Sequence, residues 1–106
     1  MSEWITPDDV AAYLGSVDAE DPRVISSTAA ARAAVEERRQ DLAFADAATT
    51  PENVRQGAIM WAGVIYQQRS APSGYDGYDA ETALADAGAK RGEINRLLGW
   101  RRPVVA

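Results

Sequence analysis

Apolar residues recur at helical spacing along most of this chain, and each periodic stretch opens on a start signal. Thr6 stands as an N-cap ahead of Pro7, a residue pre-set for the first helical position, and Asp8 and Asp9 follow where the positive end of the helix dipole favours acids. Val10, Ala11 and Leu14 then make a short apolar stripe, Ile5 is placed to staple onto Val10, and Gly15 ends the element. Asp21 and Pro22 repeat the signal. From there Val24, Thr28, Ala31, Val35 and Leu42 share one helical face, widened by Ile25, with Glu36, Glu37, Arg38 and Gln40 opposite. This pattern predicts a half-solvated helix from Pro22 into the low forties.

Thr50 before Pro51 marks a third start, and the periodicity carries that helix to about Arg69. Val54, Ala58, Trp61 and Ile65 form its stripe, but Ile59, Met60, Val64 and Tyr66 cover the other sides. Gly57 and Gly63 permit close backbone approach. Burial all round is a large demand on a chain of 106 residues, so part of this surface is expected to face a neighbouring subunit. The stretch SAPSGYDGYD, Ser70 to Asp79, concentrates proline, glycine and serine and reads as a loop of about ten residues. A short, weak helix fits Ala80 to Ala87, and a better one fits Lys90 to Leu98, carrying Ile94, Leu97 and Leu98 and ended by Gly99.

These elements predict an all-α fold: a small bundle of about four helices, a long loop after the third, and an extended C-terminal tail. Residues 1–99 form the helical domain and 100–106 the tail. The expected core is Val10, Leu14, Val24, Val35, Val54, Trp61, Ile65, Ile94 and Leu97, with Trp4, Phe44 and Trp100 adding bulk. Much of the apolar content is alanine, which buries little area, so these larger residues must define the interior.

Composition narrows the chemistry. There is no cysteine and no histidine, which removes disulfides, thiolate and imidazole metal ligands, the cysteine nucleophile and the commonest general base. The reading is of a protein that is not an enzyme, with no cofactor and no metal. The N-terminus has no basic segment leading into an apolar stretch, so no secretory signal is expected. The longest nonpolar run, Gly57 to Tyr66, is about half of what a membrane span requires. Net charge is −5, unevenly placed. Residues 1–31 hold six acids and one base, whereas residues 90–102 hold five bases and one acid. Such polarity suits head-to-tail contact between copies or docking to charged partners, and solvated faces produce it as well.

Several constellations lose to simpler readings. Asp76, Asp79 and Glu81 lack the regular spacing of a calcium loop. The GYDG sequence at Gly74 to Gly77 has no lysine and hydroxyl in the positions of a phosphate-binding loop. Glu36 and Glu37 beside Arg38 and Arg39 read as solvated ion pairs. A small helical regulator that binds DNA or a DNA-binding protein stays open as the alternative, with Arg32, Arg38 and Arg39 on phosphates, although the net negative charge opposes it. The strongest candidate is the tail. Trp100, Arg101, Arg102, Pro103, Val104 and Val105 join aromatic, basic and β-branched residues beyond the last helix, a composition suited to adding to a sheet edge or filling a groove. The loop residues Ser70, Pro72, Gly74, Tyr75 and Tyr78 come second.

Three stretches resemble one family. WITPDDVAAYLG (Trp4 to Gly15), MWAGVIYQQRSAPSG (Met60 to Gly74) and INRLLGWRRPVVA (Ile94 to Ala106) are similar, in that order, to the head-to-tail connector or head-completion adaptors of long-tailed double-stranded DNA phages. The alanine-rich, acidic segment 78–89 departs from the family's pattern. The resemblance implies a structural virion protein, made in the host cytoplasm, that assembles as a ring of about twelve subunits under the portal. Such a ring extends the DNA channel, with DNA only as passing cargo, and joins the capsid to the next connector or tail protein. The tail would then contact the portal or another partner, and the loop a neighbouring subunit. No membrane is involved in this reading.

Overall fold

The computed structural model describes residues 4–69, 80–85 and 87–99 of the chain. Among them are five helices and no strand: α1 (Pro7–Leu14), α2 (Pro22–Arg38), α3 (Glu52–Arg69), α4 (Ala80–Ala85) and α5 (Ala89–Leu97). The all-α expectation holds, with both the weak and the strong C-terminal helix present. No helix among the described residues is long and apolar enough to cross a membrane.

The start signals act as their chemistry requires. Thr6 and Asp9 form a reciprocal capping box: the Thr6 side chain accepts from the Asp9 N–H at 3.3 Å, and Asp9 accepts from the Thr6 N–H at 2.9 Å. Ile5 and Val10, the stapled pair, are both fully buried. Asp21 caps α2 through the Arg23 N–H at 2.9 Å, with Pro22 in the first turn. Thr50 behaves differently. Its hydroxyl donates backwards to the Asp46 carbonyl at 2.7 Å, tying down the approach to α3, which begins at Glu52 where the sequence signal placed it. Asp46 organises the same turn by accepting from the Thr49 N–H at 2.8 Å, and that bond holds its carboxyl below the usual range.

α3 is the axis of the molecule. Its Arg55 reaches Asp9 at the start of α1, and its Gly63 lies under the Tyr13 ring at the end of α1, so these two helices run parallel. α2 runs the other way, placing Arg23 over Tyr66 at 5.4 Å and Arg38 over Trp61 at 4.6 Å. α5 is also antiparallel, with Lys90 beside Gln67 and Gln68 and Leu97 and Leu98 against Gly57. α4 packs on α2, α3 and α5. The four helices together bury Val54, Ala58, Ile59, Met60, Trp61, Ala62, Val64 and Ile65. The chain therefore covers its own apolar axis, and the expectation that a neighbouring subunit is needed for that burial is corrected: α1, α2, α4 and α5 supply the contacts.

Other expectations shift by a residue or a face. α2 stops at Arg38, because Arg39 leaves helical geometry with its N–H still bonded to the Val35 carbonyl. Ile25 remains 48 % exposed and does not widen the buried stripe. Of the expected core, Val10, Val24, Val35, Val54, Trp61, Ile65 and Ile94 are buried, whereas Leu14 and Leu97 are only partly buried. Leu98 takes the inward position at the end of α5 instead, against Gly57. Trp4 and Phe44 pack with their rings tilted by 42° and centroids 4.7 Å apart, Trp4 buried and Phe44 partly buried, and Phe44 has a positive φ of +54°. Trp100 lies outside the described residues.

The two glycines of α3 make different demands. A β-carbon on Gly57 would meet Leu97 Cβ and Leu98 Cγ at 3.1 Å, atoms close to a helix backbone, whereas one on Gly63 would meet the partly exposed Tyr13 ring at 2.9 Å. Gly57→Ala is expected to destabilise by about 1–3 kcal/mol through overpacking. Gly63→Ala should fall within about 1 kcal/mol of neutral, since the Tyr13 ring can swing outward and alanine favours the helix. Urea denaturation of both variants checks the contrast. Ser27 provides a third test: it is fully buried on α2 with no hydrogen-bond partner for its hydroxyl. Ser27→Ala should therefore stabilise the protein, by about 1 kcal/mol, in the same measurement.

Candidate functional site

A helix ends with carbonyls that no residue of its own can satisfy. At the end of α5 those groups are taken by side chains from other elements. Leu98 O accepts from Arg39 Nη1 at 2.6 Å, and Leu97 O accepts from Asn53 Nδ2 at 2.8 Å. Arg39 is held in turn by both oxygens of Asp41, through Nε at 2.9 Å and Nη2 at 2.8 Å. These hydrogen bonds raise the Arg39 guanidinium and hold the Asp41 carboxyl below the ordinary carboxylate range. Gly99 follows with φ +70°, and a β-carbon there would lie 2.9 Å from Arg39 Nη1. The α2–α3 connection and the first turn of α3 thus clamp the place where the chain leaves α5 toward residues 100–106.

The chain enters residues 70–79 from the far end of α3 and returns against the middle of that helix. α3 delivers the chain at Arg69, and α4 receives it at Ala80, whose carbonyl accepts from Trp61 Nε1 at 2.8 Å. Trp61 is fully buried, so this bond supplies the acceptor that a buried indole N–H requires. Eighteen residues of α3 at helical rise span about 27 Å. The root of the tail lies by the first turns of α3, through Asn53 and Gly57, and the loop departs from its last turn.

A third cluster anchors the N-terminal segment. Trp4 Nε1 donates to Glu36 Oε2 at 2.9 Å, and Arg55 Nε donates to Trp4 O at 2.8 Å. Arg55 also meets Glu52 at 3.0 Å and Asp9 at 3.5 Å. Two residues expected on the solvated face of α2 gain partners within the fold: exposed Glu36 accepts from an indole, and half-buried Arg38 lies on the Trp61 ring. Arg39, expected to pair locally with Glu36 or Glu37, instead pairs with Asp41 and reaches α5.

The proposed contact residues, Trp100, Arg101, Arg102, Pro103, Val104 and Val105 in the tail and Ser70, Pro72, Gly74, Tyr75 and Tyr78 in the loop, lie outside the described residues. What the structure fixes are the roots of both segments, which it keeps apart along α3. The residues that sequence reasoning missed are Arg39, Asp41 and Asn53, whose partners on α5 lie 59 and 44 positions away for Arg39 and Asn53. No local signal announces such pairs; an arginine ahead of an Asp two positions on was the sole trace. Among the described residues no group of three or more acidic side chains is arranged to hold a metal ion. The arrangement positions chain segments and presents surfaces. No protein-family model, curated protein or solved structure matches the chain.

The clamp yields a pH prediction. Asp41 has a lower pKa in the folded chain than its ordinary value near 4, so its contribution is complete above that value and is lost as pH falls through the folded pKa. Stability measured by urea between pH 7 and 5 should be insensitive to this pair and should decline below about pH 4. Asp41→Asn should remove part of that acid decline. Arg39→Met should cost about 1–2 kcal/mol at neutral pH by leaving the Leu98 carbonyl without its charged donor.

Proposed function

We propose that this chain is a structural adaptor without catalytic activity, of the phage head-to-tail connector type, that assembles as a ring beneath a portal and joins it to the next tail component. One observation carries the reading. The two segments richest in contact chemistry leave the body near opposite ends of α3, and the root of the tail is clamped by Arg39 and Asn53. A helix about 27 Å long, with one segment leaving near its start and the other at its end, suits a protein that must engage two partners at once. The resemblance of Trp4 to Gly15, Met60 to Gly74 and Ile94 to Ala106 to connector adaptors supplies the class of partner. The absence of histidine and cysteine accords with a function based on fit.

In this reading the tail is the anchor. Trp100 and Val104 or Val105 fill apolar sites on the portal or the next connector, and Arg101 and Arg102 meet acidic rims. The loop residues 70–79 engage a neighbouring subunit. DNA passes through the ring without being bound.

Electron microscopy of the protein mixed with portals of long-tailed phages tests this directly. A ring at the portal vertex, lost on deletion of residues 100–106 while the helical circular dichroism signal persists, is the expected result. Unchanged portal binding after the deletion would contradict the tail's role. Tight, salt-sensitive duplex binding by the lone protein in a gel shift would instead favour the DNA-regulator reading.

A further inference from the structure

Charge is segregated across α3. The stretch from Trp4 to Pro22 carries five acids and no base, and α1 within it packs on α2 and α3. α5 carries Lys90, Arg91 and Arg96 against Glu93, all exposed, and packs on α3 and α4. Among the described residues α1 and α5 do not touch, so acidic and basic flanks are separated by the central helix. Neither flank spends its exposed charge internally: among the described residues Asp8, Asp18 and Glu20 on one side, and Lys90, Arg91 and Arg96 on the other, belong to no ion pair.

Shape accompanies the charge. Beside the start of α5 is an open hollow of about 260 Å³ lined by Val64, Gln67, Gln68, Ala87 and Lys90. Its lining offers amide donors, an ammonium group and a small apolar floor. On the other flank the connection between α1 and α2 presents Asp18 and Glu20 on an exposed turn, shaped by the Glu20 N–H donating to Asp18 Oδ1 at 2.9 Å. Tyr13 on α1, before this turn, is 39 % exposed, and Ile25 just beyond it is 48 % exposed.

Hollow and turn lie at the same level of the axis. Gly63 and Tyr66 mark the turn's side, through Tyr13 and Arg23, and Val64, Gln67 and Gln68 mark the hollow's side. We infer that the Asp18–Glu20 turn of one copy docks into the Lys90 hollow of a second copy of this chain. The contact is heterologous, one patch meeting a different patch, and because both lie at one level it propagates sideways around α3 and not along it. It leaves the opposite end of the molecule, with the clamped tail root, available for another partner. This contact rests on the ring assembly in the reading above and names the surfaces that build it.

The test uses the full chain alone. Sedimentation equilibrium at low ionic strength should show self-association that weakens as salt is raised. Lys90→Glu with Arg91→Glu, and separately Asp18→Lys with Glu20→Lys, should each weaken association by about tenfold or more, since like charges then face each other. All four positions are exposed, so both variants should keep the helical signal. Mixing the two variants should restore association, because the reversed hollow of one then meets the reversed turn of the other, and the native hollow the native turn. A wild type that stays monomeric, double variants that associate normally, or a mixture that fails to recover would each overturn the contact. These outcomes are independent of the portal experiment: a protein that passes the charge-swap test yet ignores every portal would sink the adaptor reading alone.

Discussion

An eighteen-residue helix that is apolar on nearly every side must be covered on nearly every side, and a short chain has little with which to do it. The rest of the structure follows from that constraint. Four helices surround α3, two of them reduced to eight and six residues. Gly57 and Gly63 let α5 and α1 approach where larger residues would hold them off. Trp61 brings bulk to the centre but also an N–H, and its need for an acceptor fixes Ala80 at the start of α4. Arg38 closes over the same ring, its charge compatible with burial against an aromatic face.

Closing the core within one chain means that any association must use surfaces other than the apolar axis. An apolar axis left partly open would have made oligomerisation a condition of folding. Here the apolar axis is internal, and the outer elements carry polar turns, charged flanks and outgoing segments. Contacts between such surfaces are steered by charge and sensitive to salt, suited to subunits that fold first and assemble afterwards.

Local signals in the sequence translated well into local structure. Thr6 with Asp9, Asp21 with Pro22, and the positive-φ glycines at 15 and 99 mark helix ends because each solves a backbone problem within a few residues. Thr50 and Pro51 also marked the start of α3 correctly, although the Thr50 hydroxyl is bound to the Asp46 carbonyl. Leu14 and Leu97 were assigned to the core on periodicity alone, which places a residue on a face but not at a depth; Leu98 is buried because Gly57 opens a space opposite it. The candidate surfaces were visible as composition, in tyrosines, glycines, arginines and valines, yet their mooring was not. Arg39 binding Leu98 O and Asn53 binding Leu97 O join residues far apart in sequence, and a charged side chain at a helix end looks the same whether it faces solvent or a distant carbonyl.

The central claim is that α3 is sheltered by its own chain. Amide hydrogen exchange on dilute, monomeric protein measures this most directly, because exchange from a sheltered helix requires global unfolding. Amides of Ala58 to Ile65 are predicted to be the slowest in the molecule, with protection that does not change on dilution. Fast exchange across that segment in the monomer, with protection appearing only at concentrations where copies associate, would contradict it.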